Sequence, residues 1–161
     1  MKMYLDLDGV LANFEKAVTK VTKQYYWGDY SEEFWRYIEK EPHFFYNLDV
    51  LPDALAMFDQ IYYAHASNVE ILTALPHPTG LLNTADQDKR AWVADIVNPN
   101  VKVNTIIGGK NKVKYLEDNS GAVLVDDSKR NIDLWFEAGG IGILHTDSHS
   151  TIEKLKVLKL L

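Results

Sequence analysis

The chain is expected to fold as an α/β protein with a mostly parallel, Rossmann-like sheet covered by helices on both faces. Three observations lead there. Short, largely apolar runs at 3–7, 69–73, 101–107, 122–125 and 141–144 have the length and composition of buried strands. Helical segments separate most of them, which is the order that builds parallel sheets. Residues 13–68 hold no strand candidate and fall between the first two runs. That stretch reads as a helical cap inserted into a catalytic core made of residues 1–12 and 69–161.

The elements follow in order. Residues 3–7 run into Asp-Leu-Asp-Gly, a buried strand entering a turn. Leu11, Phe14, Val18 and Val21 recur at helical spacing. Residues 25–45 are dense in aromatics, including Trp27, Phe34, Trp35 and Tyr37, and read as partly helical. Pro52 and Asp53 open a helix to about residue 63. The segment 74–83 carries Pro76, Pro78 and Gly80 and reads as a loop. Thr84 with Gln87 has the form of a capping box for a helix reaching about residue 97. Residues 112–116 read as a short helix and 118–121 as a turn. A helix from about residue 129 stops at Gly139-Gly140, and Ser150 with Glu153 caps the last helix.

Bulk composition narrows the classes. The 161 residues suffice for one core and a small lid. Apolar residues make up 47% and charged residues 25%, as in ordinary globular chains. With no cysteine, neither a disulfide framework nor a thiolate metal site is available. This fits a reducing cytosol, and a cytoplasmic location is expected. The first strand starts too early to leave room for a signal peptide, and no apolar run approaches the roughly 20 residues that span a bilayer. A net charge of -6 argues against stable nucleic-acid binding, which depends on neutralising phosphates, but not against a small anionic substrate.

The chemistry lies at the strand ends. In parallel sheets, ligands bind beyond the carboxyl ends of the strands. Asp6 and Asp8 follow the first strand, Thr73 ends the second, and Asp126 and Asp127 end the fourth. Lys110, Lys112 and Lys114 lie in the segment before that fourth strand. Carboxylates gathered on one rim repel, so they call for a cation, and an oxygen-only donor set points to Mg2+. With the metal neutralising a phosphate monoester, Asp6 could attack phosphorus. Asp8 could protonate the leaving oxygen and later deprotonate water. Thr73 and a lysine could hold the equatorial oxygens. Asp6, Asp8 and Asp127 are the expected metal residues, with Asp126 supporting them from behind.

At these positions the sequence resembles the haloacid dehalogenase-like superfamily of phosphatases. Asp6 to Ala12 (DLDGVLA) looks like its first motif, Ile71-Leu72-Thr73 the second, and Leu124 to Asp127 (LVDD) the fourth. Within that superfamily the chain is most similar to the 5'(3')-deoxyribonucleotidases. Residues 6–15 (DLDGVLANFE), 33–35 (EFW), 44–52 (FFYNLDVLP) and 89–93 (KRAWV) carry this closer likeness. The resemblance implies that Phe14, Phe34, Trp35 and Arg36 line a base pocket. It also implies that Lys112 is the motif lysine, with Lys110 and Lys114 as alternatives. The family often has Ser after the motif Thr. Here that substrate-binding position is Ala74.

Simpler readings compete. A calcium loop would place its Gly at the sixth position, whereas Gly9 is fourth after Asp6. Phe14 and Trp35 could be core residues. His145 and His149 sit in a loop rich in Ser, Thr and Asp and read as plain surface. The final KLKVLKLL reads as a helix covering the sheet. The leading expectation is a nucleotidase acting on a deoxyribonucleoside monophosphate, with room for a homodimer. Phosphatases of nucleic-acid 3' ends or of sugar phosphates fit the same residues. An inactive binding module fits less well, because Asp6 and Asp8 are both present.

Overall fold

The computed structural model of the chain describes residues 1–161 apart from 24–30, 77–81 and 118. Strands β1 (Met3–Leu5), β2 (Val69–Leu75), β3 (Lys102–Ile107), β4 (Val123–Asp126) and β5 (Ile141–Leu144) form one sheet in the order β3-β2-β1-β4-β5. Every pairing is parallel, with Leu5 opposite Ile71 on one side and Val125 on the other. β1 is central, so the chain reverses direction across the sheet at its carboxyl end, where α/β sheets open a binding crevice.

Burial on both faces explains the apolar strands. Met3, Leu5, Ile71, Val123 and Val125 join the larger core with α1 (Phe14–Thr22), α3 (Ala54–His65) and α6 (Ser148–Val157). Tyr4, Leu72 and Leu124 turn to the other face. There they meet Trp135 of α5 (Lys129–Glu137) and Leu116 of the 3₁₀ helix Gly109–Leu116. Trp135 lies edge-on to Tyr4 and donates from Nε1 to the Ala122 carbonyl at 2.9 Å, so its only polar atom is satisfied.

The excursion between β1 and β2 is pinned at its neck. Leu51 N–H donates to the Leu11 carbonyl, Asn13 N–H donates to the Asp49 carbonyl, and Ala12 bridges Val50 antiparallel. Between these arms lie α1, α2 (Glu32–Ile38) and the turns carrying Phe44 and Phe45. Beyond the neck, α3 packs on β2 and α6 and so belongs to the layer over the sheet.

Several local expectations shift. The first strand stops at Leu5, although Asp6 N–H still donates to the Val125 carbonyl. Leu11 lies in a turn closed on the Leu7 carbonyl, and α1 starts only at Phe14, capped by the Asn13 side chain. β2 extends to Leu75, so Thr73 and Ala74 are strand residues. Thr84 makes no capping bond; its hydroxyl donates to Asp88 instead. The last helix is capped by Asp147, which accepts from the Ser150 N–H; Ser150 is already inside it. His145 is buried rather than on the surface, with Nδ1 2.8 Å from the Thr151 hydroxyl. Trp27, Pro78 and Gly80 lie outside the described residues.

Candidate active site

The loops leaving β1 and β4 interlock. Gly9 has φ +77°, and a β-carbon there would fall 2.1 Å from an Asp127 oxygen. Only glycine permits both the backbone conformation and this approach. As a result Asp6 and Asp127 face each other, and with Asp126 their carboxylate oxygens lie within 4.8 Å of one another.

Lys112 supplies the countercharge. Its Nζ is buried, 2.9 Å from Asp6 and 2.6 Å from Asp126. Burial alone would lower the pKa of this ammonium, but Asp6 and Asp126 outweigh that and hold it above the ordinary value. Asp126 is saturated: it also accepts from Ser128 N–H at 2.8 Å and from the Asn131 amide at 3.1 and 3.2 Å. Lys110 and Lys114 are exposed, so among the three alternatives only Lys112 touches the carboxylates.

Asp8 is turned away from this group. Its Oδ2 pairs with Lys89 Nζ at 2.6 Å, while Oδ1 is buried with no hydrogen-bond partner. Burial raises the Asp8 pKa, Lys89 opposes this, and Asp6 adds to it; the net direction is upward. Lys89 is fully buried and also donates to the Thr73 hydroxyl at 2.9 Å and the Ala74 carbonyl at 2.8 Å. Its ammonium lies 4.6 Å from the centre of the Phe45 ring. Sequence reasoning missed Lys89 as a site residue. In the run Asp-Gln-Asp-Lys-Arg it looks like a solvated helix face, and its partner Asp8 is 81 residues away.

Asp127 is exposed at the floor of the cleft, yet its pKa is pushed up to about 7. Loss of water inside the cleft is the largest cause, followed by the charges of Asp6 and Asp126. Four carboxylates (Asp6, Asp8, Asp126 and Asp127) thus face two ammonium groups, Lys89 and Lys112. All donors are oxygen, and the excess negative charge suits a hard divalent cation.

Asp6, Asp8 and Asp127 open on a cleft of about 1080 Å3, while the buried Thr73, Lys89, Lys112 and Asp126 lie behind its wall and do not line it. Phe14, Trp35 and Phe45 line it on the α1–α2 side, together with Asp6, Asp8, Ala74 and Asp127. Phe14 stacks on Phe45 with centroids 6.2 Å apart and lies tilted to Trp35 at 6.5 Å. Phe34 packs edge-on to Trp35 at 4.8 Å and does not line the cleft. Arg36 is exposed, does not line it either, and pairs with Glu32 at 2.6 Å.

The parallel α/β sheet thus gathers carboxylates, a strand threonine and a buried lysine at its carboxyl edge. Comparison with known proteins makes the assignment. Residues 1–155 match the family described as "5' nucleotidase, deoxy (Pyrimidine), cytosolic type C protein". The chain belongs to that family and is a phosphoric monoester hydrolase. No curated protein sequence matches it. Among solved structures, a hydrolase from Streptococcus pneumoniae TIGR4 is similar with TM-score 0.57 and 13% identity, over 98% of this chain and 97% of that one. The haloacid dehalogenase domain of the effector Lem4 from Legionella pneumophila is similar with TM-score 0.50 and 12% identity, over 96% and 93% of the two chains. Among the described residues, no helix is long and apolar enough to cross a membrane.

Proposed function

We propose that the protein is a Mg2+-dependent cytoplasmic 5'(3')-deoxyribonucleotidase that works through an aspartyl-phosphate on Asp6. The observation that carries this reading is the division of labour between the two motif aspartates. Asp6 is paired with Lys112 within the acidic group, while Asp8 keeps one oxygen without a partner and has a raised pKa. A nucleophile must be ionised, and a general acid must hold its proton near neutral pH.

Asp6 and Asp127 would hold the metal, Asp126 would orient Lys112, and the bound Mg2+ would neutralise the phosphate oxygens. Asp6 attacks phosphorus and the ester P–O bond breaks. Asp8 gives its proton from Oδ1 to the leaving oxygen while Lys89 fixes Oδ2. Asp8 then takes a proton from water as that water attacks the phosphorus of the aspartyl-phosphate. Phosphate leaves and the Asp6 carboxylate is restored. Lys112 and Thr73 stabilise charge on the transferring group. The cap is the part of 13–68 above the neck, and its aromatic wall would receive the base. Phosphate release from a panel of deoxynucleotides, sugar phosphates and 3'-phosphorylated oligonucleotides tests the assignment. Deoxynucleotides should give a higher kcat/KM than either other class, and a preference for sugar phosphates or 3'-phosphorylated oligonucleotides would reject it.

The metal has a readout apart from turnover. In the metal-free protein Asp127 titrates near 7, far above the ordinary carboxylate value of about 3.9. The folded state keeps a proton that the unfolded chain has lost, so this group weakens the fold as pH rises between those values. Mg2+ must displace that proton at low pH but not at high pH. The rise in Tm on adding Mg2+ is therefore expected to be larger at pH 8 than at pH 5, and exhaustive chelation should abolish turnover. Equal Tm shifts at both pH values would remove Asp127 from the metal site.

The aromatic wall makes a separate prediction. A base stacked on an aromatic ring is worth about 1–3 kcal/mol, or about tenfold to a hundredfold in kcat/KM. Trp35→Ala and Phe14→Ala should lower kcat/KM on a nucleotide by that factor more than on a small aryl phosphate. Both residues also pack in the core, so the aryl phosphate serves as the internal control. Equal losses on the two substrates would leave them a packing role alone.

A further inference from the structure

The cleft has a third surface that the reaction at Asp6 does not use. Lys110 and Arg130 both line it, both are exposed, and neither side chain has an ion pair or hydrogen bond among the described residues. This contrasts with Lys89 and Lys112, which are buried and fully engaged. The segments that carry these two cations touch through a fixed contact. A β-carbon on Gly109 would lie 2.8 Å from the Asn131 amide nitrogen, and Asn131 is anchored on Asp126. Lys110 follows Gly109 and Arg130 precedes Asn131, so the segments that carry them meet beside the acidic group.

Size points the same way. Small-ligand sites usually enclose about 300–1,000 Å3. This cleft, at about 1080 Å3, has room for more than one phosphate and a nucleoside. In the reading above the transferred phosphate is served by Asp6, which lines the cleft, with the buried Lys112 and Thr73 behind it. Two unpaired cations in the same cleft suit a second anionic group on the same molecule. With a net charge of -6, the chain is poorly suited to a long polyanion, which favours a small substrate.

We propose that Lys110 and Arg130 form a second phosphate subsite, and that the preferred substrate is a deoxynucleoside 3',5'-bisphosphate. One phosphate is hydrolysed at Asp6 while the other is held by these two side chains. This rests on the nucleotidase reading above and deepens it. In the reaction one ester P–O bond breaks, water supplies hydroxyl to the departing phosphate and a proton to the sugar oxygen, and the second phosphate is unchanged.

The test is steady-state kinetics with Mg2+ on a deoxynucleoside 5'-monophosphate and the matching 3',5'-bisphosphate. Wild type, Lys110→Ala, Arg130→Ala, the double variant and the charge-preserving Lys110→Arg/Arg130→Lys pair are compared. A hydrogen bond to a charged group is worth about 1.5–3 kcal/mol, so the bisphosphate should lead by about tenfold or more in kcat/KM. The double alanine variant should lose that lead, mainly through KM, and change the monophosphate by less than about threefold. The charge-preserving pair should keep most of it. Because both cations are exposed, the lead should also shrink with added salt. Equal loss on both substrates would overturn the proposal, since the cations would then serve the transferred phosphate. No wild-type preference for the bisphosphate would overturn it as well. If neither substrate is hydrolysed, the nucleotidase reading fails. Calorimetric titration then decides the subsite: tighter bisphosphate binding that the double variant loses supports it, and equal affinities reject it.

Discussion

Asp6→Asn is expected to lower kcat by about 10⁴-fold or more while the protein stays folded, on the scale seen when a catalytic nucleophile is removed. The amide cannot attack phosphorus, yet its oxygen can still accept from Leu7 N–H, which donates to Asp6 Oδ1 at 2.8 Å. The variant removes one carboxylate from an acidic cluster but also one partner of Lys112, which keeps Asp126, so its Tm without metal should stay close to that of the wild type. The checks are phosphate release by the purified variant and its thermal unfolding with and without Mg2+. Near-normal turnover by a folded variant would end the case for covalent catalysis at this residue.

Lys112→Met should have the largest effect on stability. Removing one partner of a buried ion pair typically costs about 3–5 kcal/mol, because the remaining charge is left without compensation. Here Asp6 and Asp126 both lose their ammonium partner, and Asp126 is fully buried. Urea unfolding at pH 7 measures the loss. The deficit should narrow on acidification. Burial already raises the Asp126 pKa against the pull of Lys112, so without Lys112 this carboxyl holds its proton more tightly than in the unfolded chain and the folded state gains relative stability as pH falls. Lys112→Arg is not expected to restore turnover, since a planar guanidinium does not fit a pocket built around a point charge. A Lys112→Met variant within about 1 kcal/mol of wild type would mean that the pair is loosely held.

The sheet and much of the candidate site are legible in the sequence because the physics there is one-dimensional. A strand buried on both faces must be apolar along its length, and its first polar residues mark its carboxyl end. Asp6, Asp126 and Asp127 stand out for that reason. Other features depend on partners distant in sequence. Lys89 gains its meaning from Asp8, and His145 is buried by Thr151 on a helix whose true cap is Asp147. Thr84 has the sequence form of a cap, but the buried Asp88 claims its hydroxyl, and Asp88 in turn binds His43 at 2.8 Å. The role of α3 within residues 13–68 is not legible either. The composition of α3 does not say whether it covers the sheet or the cleft, and only the closure of the neck at 11–13 and 49–51 separates the two.

Helix α4 (Ala85–Trp92) has a consequence for how this enzyme could diversify. It holds Asp8 through Lys89, the same ammonium rests on Phe45, Trp92 Nε1 donates to the Leu48 carbonyl at 2.8 Å, and Asp88 binds His43. Asp8, the proposed proton donor, and part of the aromatic wall therefore share one support. A substitution in α4 that alters the wall also disturbs Asp8, so selectivity and rate are inherited together there. Helix α2, which carries Trp35, lies against α1 and has no hydrogen bond or ion pair to Asp8 or Lys89 among the described residues. On the proposed function, a change of base preference is accordingly met at least cost in α2, where Asp8 and its lysine are left undisturbed.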